Sequence, residues 1–225
     1  MRLLAIDCAA NLCAACVYDA AAKRELGRQV LDLGKGHAEH LMAVIAEALK
    51  ASAIQYGDLG AIAVSVGPGS FTGLRVGVST ARGLALALKI PAIGVTTLEA
   101  LAAEAAAAFP DRAVLAALDA GREEIHAALY DEMSSLTYGP AVITLNDAVA
   151  MATENSSVLA GTAATQIAIS AGRAFETGPE TATADIVTYA RLAAAKGEGE
   201  RPKPLYLRGA DAKPQAGFML SRLRS

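Results

Sequence analysis

The chain of 225 residues has no tryptophan, and aromatic residues make up only 4% of it. Its core must therefore be built from Ala, Leu, Val and Ile rather than from stacked rings. Charge is also scarce: Asp, Glu, Lys and Arg supply 19% of the residues and nearly cancel, leaving −3. That balance disfavours nucleic-acid binding by this chain alone, because phosphate neutralisation needs clustered Lys and Arg. No stretch approaches the roughly 18 consecutive apolar residues that span a bilayer. The apolar start of MRLLAIDC is too short for a signal peptide and ends in Asp7. The expectation is a cytoplasmic protein with no membrane partner.

Cysteine is limited to Cys8, Cys13 and Cys16. The C-x-x-C spacing of Cys13 and Cys16 suits redox chemistry or zinc. Yet NLCAACVYD reads as a strand, where a separation of three puts the two side chains on opposite faces. No second Cys/His pair follows at zinc spacing. His37 and His40 lie i, i+3 at a helix start, but no third ligand is near, so a capping or surface role is expected. His126 has no assigned role.

What is abundant is apolar surface. Hydrophobic residues make up 53% of the chain, enough for a folded protein of one large domain or two small lobes. Segments 2–7, 13–19 and 26–33 read as a three-strand meander. Apolar residues at 41, 44, 45, 48 and 49 give helical spacing over 37–52. A buried strand at 59–67, a helix at 74–89, a strand at 92–95 and a helix at 97–109 follow. The pattern then restarts with strands at 113–120 and 125–131. Asp7 and Asp119 each end a first strand, and each second strand closes on Tyr-Asp, at Tyr18-Asp19 and Tyr130-Asp131. This is a weak internal repeat. Strands at 140–147 and 156–161 and a helix at 185–197 complete a leaner second half. The expected fold is α/β, two tandem actin-like lobes of the ASKHA, ribonuclease H-like kind with the second reduced. Residues 1–108 form the first lobe and 109–200 the second, with 201–225 returning toward the first.

The loop GPGSFTGLRVG (67–77) runs from a strand into a helix, a generic anion site. It lacks the Lys and Ser/Thr that end a phosphate loop. The glycines equally suit tight backbone approach, and Ser70 or Thr72 can cap the helix. The first turn, DCAAN, offers Asn11 and backbone N–H groups but no hydroxyl, and the second, DAGREE, brings Glu123 and Glu124 where phosphate would be repelled. At most a weak nucleotide or anion loop is expected, from Asp7, Asn11, Gly67, Gly69, Ser70, Gly73, Asp119 and Gly121. The helix after the loop carries Gly77, Ser79, Thr80, Ala81, Gly83, Ala85 and Ala87, small residues that let another element pack closely.

At AVSVGPGSFTGLRVGVSTARGLALALKIPAIGVTTLEALA (63–103) the sequence resembles the TsaB (YeaZ) family, subunits of the bacterial machinery that installs threonylcarbamoyl on N6 of the adenosine beside the anticodon. LLAIDCAAN, GHAEHLMAVI, ALDAGREEIHAALYD and PLYLRG extend the resemblance in order along most of the chain. The related catalytic TsaD proteins carry a His-x-x-x-His metal pair, where this chain has Thr97 and Leu101. The first turn also departs from the family: Cys8-Ala9-Ala10 stands where hydroxyl residues are usual.

The resemblance implies a non-catalytic partner of a TsaD-type transferase, with a TsaE-type ATPase in the assembly and tRNA reached through the complex. It implies no cofactor of its own, ATP or ADP and metal residing on partner subunits, and a homodimer when the partner is missing. The interface it implies uses His37, Leu41, Val44, Ile45, Ala48, Val76, Thr80, Gly83, Leu84 and Ala87. The alternative is an independent ATP-dependent carbamoyl- or phosphoryl-transfer enzyme of the ASKHA class.

Overall fold

The computed structural model describes residues 1–197 and 199–207. β1 (Arg2–Asp7), β2 (Leu12–Asp19) and β3 (Arg24–Asp32) form the antiparallel meander. α1 (His37–Ser52) leads to β4 (Ala61–Gly67), which pairs with β1 in parallel. α2 (Phe71–Leu88) then connects to β5 (Ala92–Thr96), parallel to β4, and α3 (Thr97–Ala108) leaves the sheet. The strand order is β3-β2-β1-β4-β5.

The second half repeats this plan. β6 (Val114–Asp119), β7 (Glu124–Tyr130) and β8 (Leu136–Thr144) form a second meander, and β9 (Val158–Ala160) lies parallel to β6. The order is β8-β7-β6-β9, the first sheet without its fifth strand. A single parallel bridge between Leu159 and Thr177 stands where that strand would be. The lobes are thus the two actin-like units expected, the second reduced. Two helices of this half escape the sequence reading: α4 (Leu145–Glu154) and α5 (Ala164–Ala171). The expected strand at 140–147 straddles the end of β8 and the start of α4, where Thr144 accepts the Asp147 N–H and caps the helix. α6 (Ile186–Lys196) closes the described helices.

Strand alternation sorts side chains into layers. Leu4 and Ile6 of β1, with Cys13, Ala15 and Val17 of β2, face α1 and α2. Leu3 and Ala5, with Ala14, Cys16 and Tyr18, face the other way, toward α3 and α6. Those two helices lie between the sheets, and Val114, Ala116, Leu118, Ala128 and Tyr130 close the same core from the second sheet. α4 and α5 cover that sheet's far side. Buried Ala100, Ala102 and Ala105 keep α3 slim, so both sheets can approach it. Cys13 and Cys16 do fall on opposite faces of β2.

Arg28 on β3 ties the meander to the start of α6. Its guanidinium donates twice to the Asp185 carboxylate, at 2.7 and 3.1 Å, and also binds Glu25. Asp185 in turn caps α6 by accepting the Val187 N–H at 2.9 Å. Beyond α6 the chain runs back over the first sheet: Pro202 lies against Gly94, and the Leu205 N–H donates to the Val66 carbonyl at 2.7 Å.

Candidate functional site

The loop from Gly67 to Gly73 folds onto the β1–β2 turn. The Ser70 N–H donates to the Ala9 carbonyl at 2.7 Å. A Cβ on Gly69 would overlap that same carbonyl oxygen, and a Cβ on Gly73 would overlap the Cys8 carbonyl oxygen. The glycines therefore serve close approach of protein backbone. Ser70 Oγ accepts the Gly73 N–H at 3.2 Å and caps α2, which begins at Phe71, three residues before the expected start. Gly67 holds a φ of +103° with the Leu205 carbonyl 3.3 Å from where its side chain would lie.

Asp7 is 1% exposed. It accepts the Ala9 N–H at 2.9 Å and the Thr183 hydroxyl at 2.5 Å, and Thr183 Oγ1 lies 2.7 Å from the Tyr189 hydroxyl. Ser65 also bonds to it. Burial pushes its carboxyl above the usual range, against the pull of these hydrogen bonds. The carboxylate is directed into the lobe and bonded there. Thr183 and Tyr189 were not legible as its partners: they lie about 180 residues away in the chain, and no local pattern marks them.

Asn11 is exposed, and its carbonyl accepts from Leu33 and Gly34. Asp119 lies in the equivalent turn of the second lobe, exposed, and accepts the Gly121 N–H at 2.8 Å, while its own N–H donates to Thr162. Gly121 has a φ of +69°. The structure thus joins Asp7, Gly69, Ser70 and Gly73 around one turn, and holds Asp119 with Gly121 in another.

The residues expected at a partner interface divide sharply. Leu41, Val44, Ile45 and Ala48 are buried beneath α1, packed on their own sheet. His37 is also buried, with Nε2 3.2 Å from the Leu12 carbonyl. These five face inward because their spacing is the helix's sheet-facing stripe, and the lobe's own core uses it. On α2 the outcome differs. Val76, Thr80 and Leu84 are half-buried, while Gly83 and Ala87 are exposed. A Cβ on Gly83 would meet nothing within 4 Å. One turn on, Leu86 is 78% exposed, and Met42 of α1 is 49% exposed. Ala43 and Ala46 of α1 are exposed too. The sequence signal for Leu86, Met42 and Ala46 was present: they lie off the sheet-facing stripe.

At the start of α2, Arg75 sits over the Phe71 ring, 3.8 Å from its centroid, and its Nε donates to the Tyr206 hydroxyl at 2.9 Å. On α3, Thr97 and Leu101 are fully buried. Among the described residues no three His, Cys, Asp or Glu side chains converge on one point. His40 is exposed, and His126 is half-buried on β7 opposite Leu118 and Val142. A cavity of about 360 Å³ opens between α3, α6 and the β7–β8 hairpin; the Lys196–Glu99 ion pair, 2.6 Å, and Tyr130 lie on its wall. No helix of the described residues is long and apolar enough to cross a membrane.

Residues 32–195 match the family described as TsaD, tRNA N6-adenosine threonylcarbamoyltransferase. The chain is 36% identical over 130 residues to the tRNA threonylcarbamoyladenosine biosynthesis protein TsaB of Escherichia coli, a match covering 58% of this chain and 55% of that protein. It thus spans about half the length of that curated relative. An uncharacterized protein of Mycobacterium tuberculosis is 34% identical over 201 residues, 85% of this chain and 84% of the other. Among solved structures, a Pseudomonas aeruginosa protein described as similar to the peptidase YeaZ superposes with a TM-score of 0.76 at 25% identity, covering 92% of this chain and 99% of that one.

Proposed function

The chain belongs to the TsaB (YeaZ) family, and on that premise we propose that it serves tRNA threonylcarbamoyladenosine formation as a non-catalytic subunit. It binds a TsaD-type transferase through the outer face of α1 and α2. The observation that carries this reading is the bare stripe on α2. A helix-interior glycine costs about 0.5–1 kcal/mol relative to alanine. Gly83 is not needed by its own lobe, since its side-chain space is open. Leu86 and Ala87, one turn further along α2, are exposed, as is Met42 of α1. A partner helix packed close against that stripe accounts for all four residues.

Two further observations support the non-catalytic role. The positions matching the metal-binding histidines of TsaD proteins are Thr97 and Leu101, both at 0% exposure. Neither offers an imidazole, and leucine has no donor atom. The loop glycines that would approach a phosphate are filled by the Cys8 and Ala9 carbonyls instead. ATP or ADP and metal accordingly act on the partner subunits, a TsaE-type ATPase joins the assembly, and tRNA is engaged through the complex. Without the partner, the same face pairs two copies of this chain.

Reconstitution tests this. tRNA modification by TsaD- and TsaE-type partners is measured with and without this chain. Dependence on the chain, retained in a Thr97→Ala variant, supports the proposal. Modification at full rate without the chain overturns it.

A further inference from the structure

The C-x-x-C spacing draws attention to Cys13 and Cys16, but the fold pairs Cys13 with Cys8. β1 and β2 run antiparallel with Ile6 opposite Ala15 and Asp7 opposite Ala14. Continued one step past the end of β1, the same register sets Cys8 opposite Cys13. The Ala20 N–H donates to the Met1 carbonyl at 2.9 Å. That bond fixes the alternation: 1/20, 3/18, 5/16 and 7/14 are the hydrogen-bonded pairs, and 8/13 falls at a non-hydrogen-bonded position. There the Cα atoms of facing residues stand about 4.5 Å apart with their side chains closest, within the roughly 4.4–6.8 Å that a disulfide requires. Both side chains lie in the same core layer, beneath α1 and α2, whereas Cys16 lies on the opposite face. The two thiols lie close enough to shift each other's protonation.

We propose that Cys8 and Cys13 form a peroxide-sensitive thiol pair that closes to an intrachain disulfide, with Cys16 left as a thiol. The neighbouring Cys8 thiol pulls the Cys13 thiol below its ordinary range, while Cys13, together with burial, pushes Cys8 up. Attack by either thiol first gives the same bond, and Cys13 is taken as the first nucleophile. Its thiolate attacks one oxygen of hydrogen peroxide. The O–O bond breaks, hydroxide leaves and takes up the thiol proton as water, and Cys13 becomes a sulfenic acid. Cys8 sulfur then attacks the Cys13 sulfur. The S–O bond breaks, the S–S bond forms, and the departing hydroxide takes the Cys8 proton as a second water. Two thiols lose two electrons in all, and one peroxide becomes two waters.

The pair sits directly under the turn at Ala10 and Asn11, half-buried and exposed respectively. Both thiols are 0% exposed, so their oxidation requires opening of that hairpin end, which then admits a molecule scarcely larger than water. Burial on the opposite face pushes the Cys16 thiol up and leaves it unreactive. The bond would close in the turn on which α2 begins, since the Cys8 and Ala9 carbonyls are the surfaces that Gly73 and Ser70 rest on.

The test treats the purified full chain with hydrogen peroxide under native conditions. It then denatures the chain, blocks free thiols with N-ethylmaleimide and fragments the tryptic peptide from Leu3 to Lys23, which holds all three cysteines. The expected product has lost two hydrogens and carries one label, on Cys16. Cys16→Ala should still lose two thiols, and Cys13→Ala and Cys8→Ala should lose none to a disulfide. Circular dichroism of each variant confirms folding, and the wild-type label position stands independently of them. Three labelled thiols after native oxidation, or a bond that includes Cys16, would overturn the proposal.

Discussion

The Cys8 carbonyl oxygen fills the space that a side chain on Gly73 would need. This one relationship explains why a glycine stands in the first turn of an otherwise ordinary helix start. It also sets two glycines of α2 apart. Gly73→Ala must push the β1–β2 turn away and should lower stability by about 1–3 kcal/mol, the usual cost of overpacking. Gly83→Ala meets open space within 4 Å and should raise it by about 0.5–1 kcal/mol. Urea denaturation of the two variants against wild type checks both signs at once.

Asp7 carries a carboxyl raised by burial. A group whose pKa is higher folded than unfolded holds its proton more tightly in the folded state. Its contribution therefore favours folding at low pH and is lost as pH rises from the unfolded value, near 4, through the raised folded one. Asp7→Asn removes that loss. The variant should show a flatter urea midpoint than wild type as pH rises above about 4. A wild-type slope preserved in the variant would place the titration elsewhere.

The Arg28–Asp185 pair joins β3 to α6 across 157 residues of sequence. Its Arg28 side chain is 38% exposed, so solvent screens the pair, and Arg28→Gln should cost less than about 1 kcal/mol. Asp185→Ala also removes the helix cap on Val187 and should cost about 1 kcal/mol or more. Raising the salt concentration should narrow the first loss and leave the second largely in place. Thermal melts of both variants at low and high salt measure this.

Much of the first lobe was legible because its signals are local. Short continuous apolar runs bounded by turns marked β1 and β2, and i, i+3, i+4 spacing marked α1 with its bounds at 37 and 52. The repeated Asp-turn-strand pattern revealed the second lobe. α4 and α5 were not legible: they are short, Ala-rich segments that pack on the far side of the second sheet. The apolar stripe of α1 was visible, but not what it covers. Spacing shows that Leu41, Val44, Ile45 and Ala48 share a face, and the lobe's own sheet occupies that face. The bonds of Asp7 to Thr183 and of Arg75 to Tyr206 span more than 130 residues each, and no periodicity encodes them.

The outer face of α1 and α2 is proposed as the seat of a TsaD-type partner. Co-purification of that partner with tagged Gly83→Arg and Leu86→Glu variants measures it most directly. Both side chains point to open surface, so both variants should keep the wild-type circular dichroism spectrum and melting temperature. Neither variant should retain the partner, while wild type retains it in equal amounts. Stoichiometric recovery of the partner with both folded variants would contradict it.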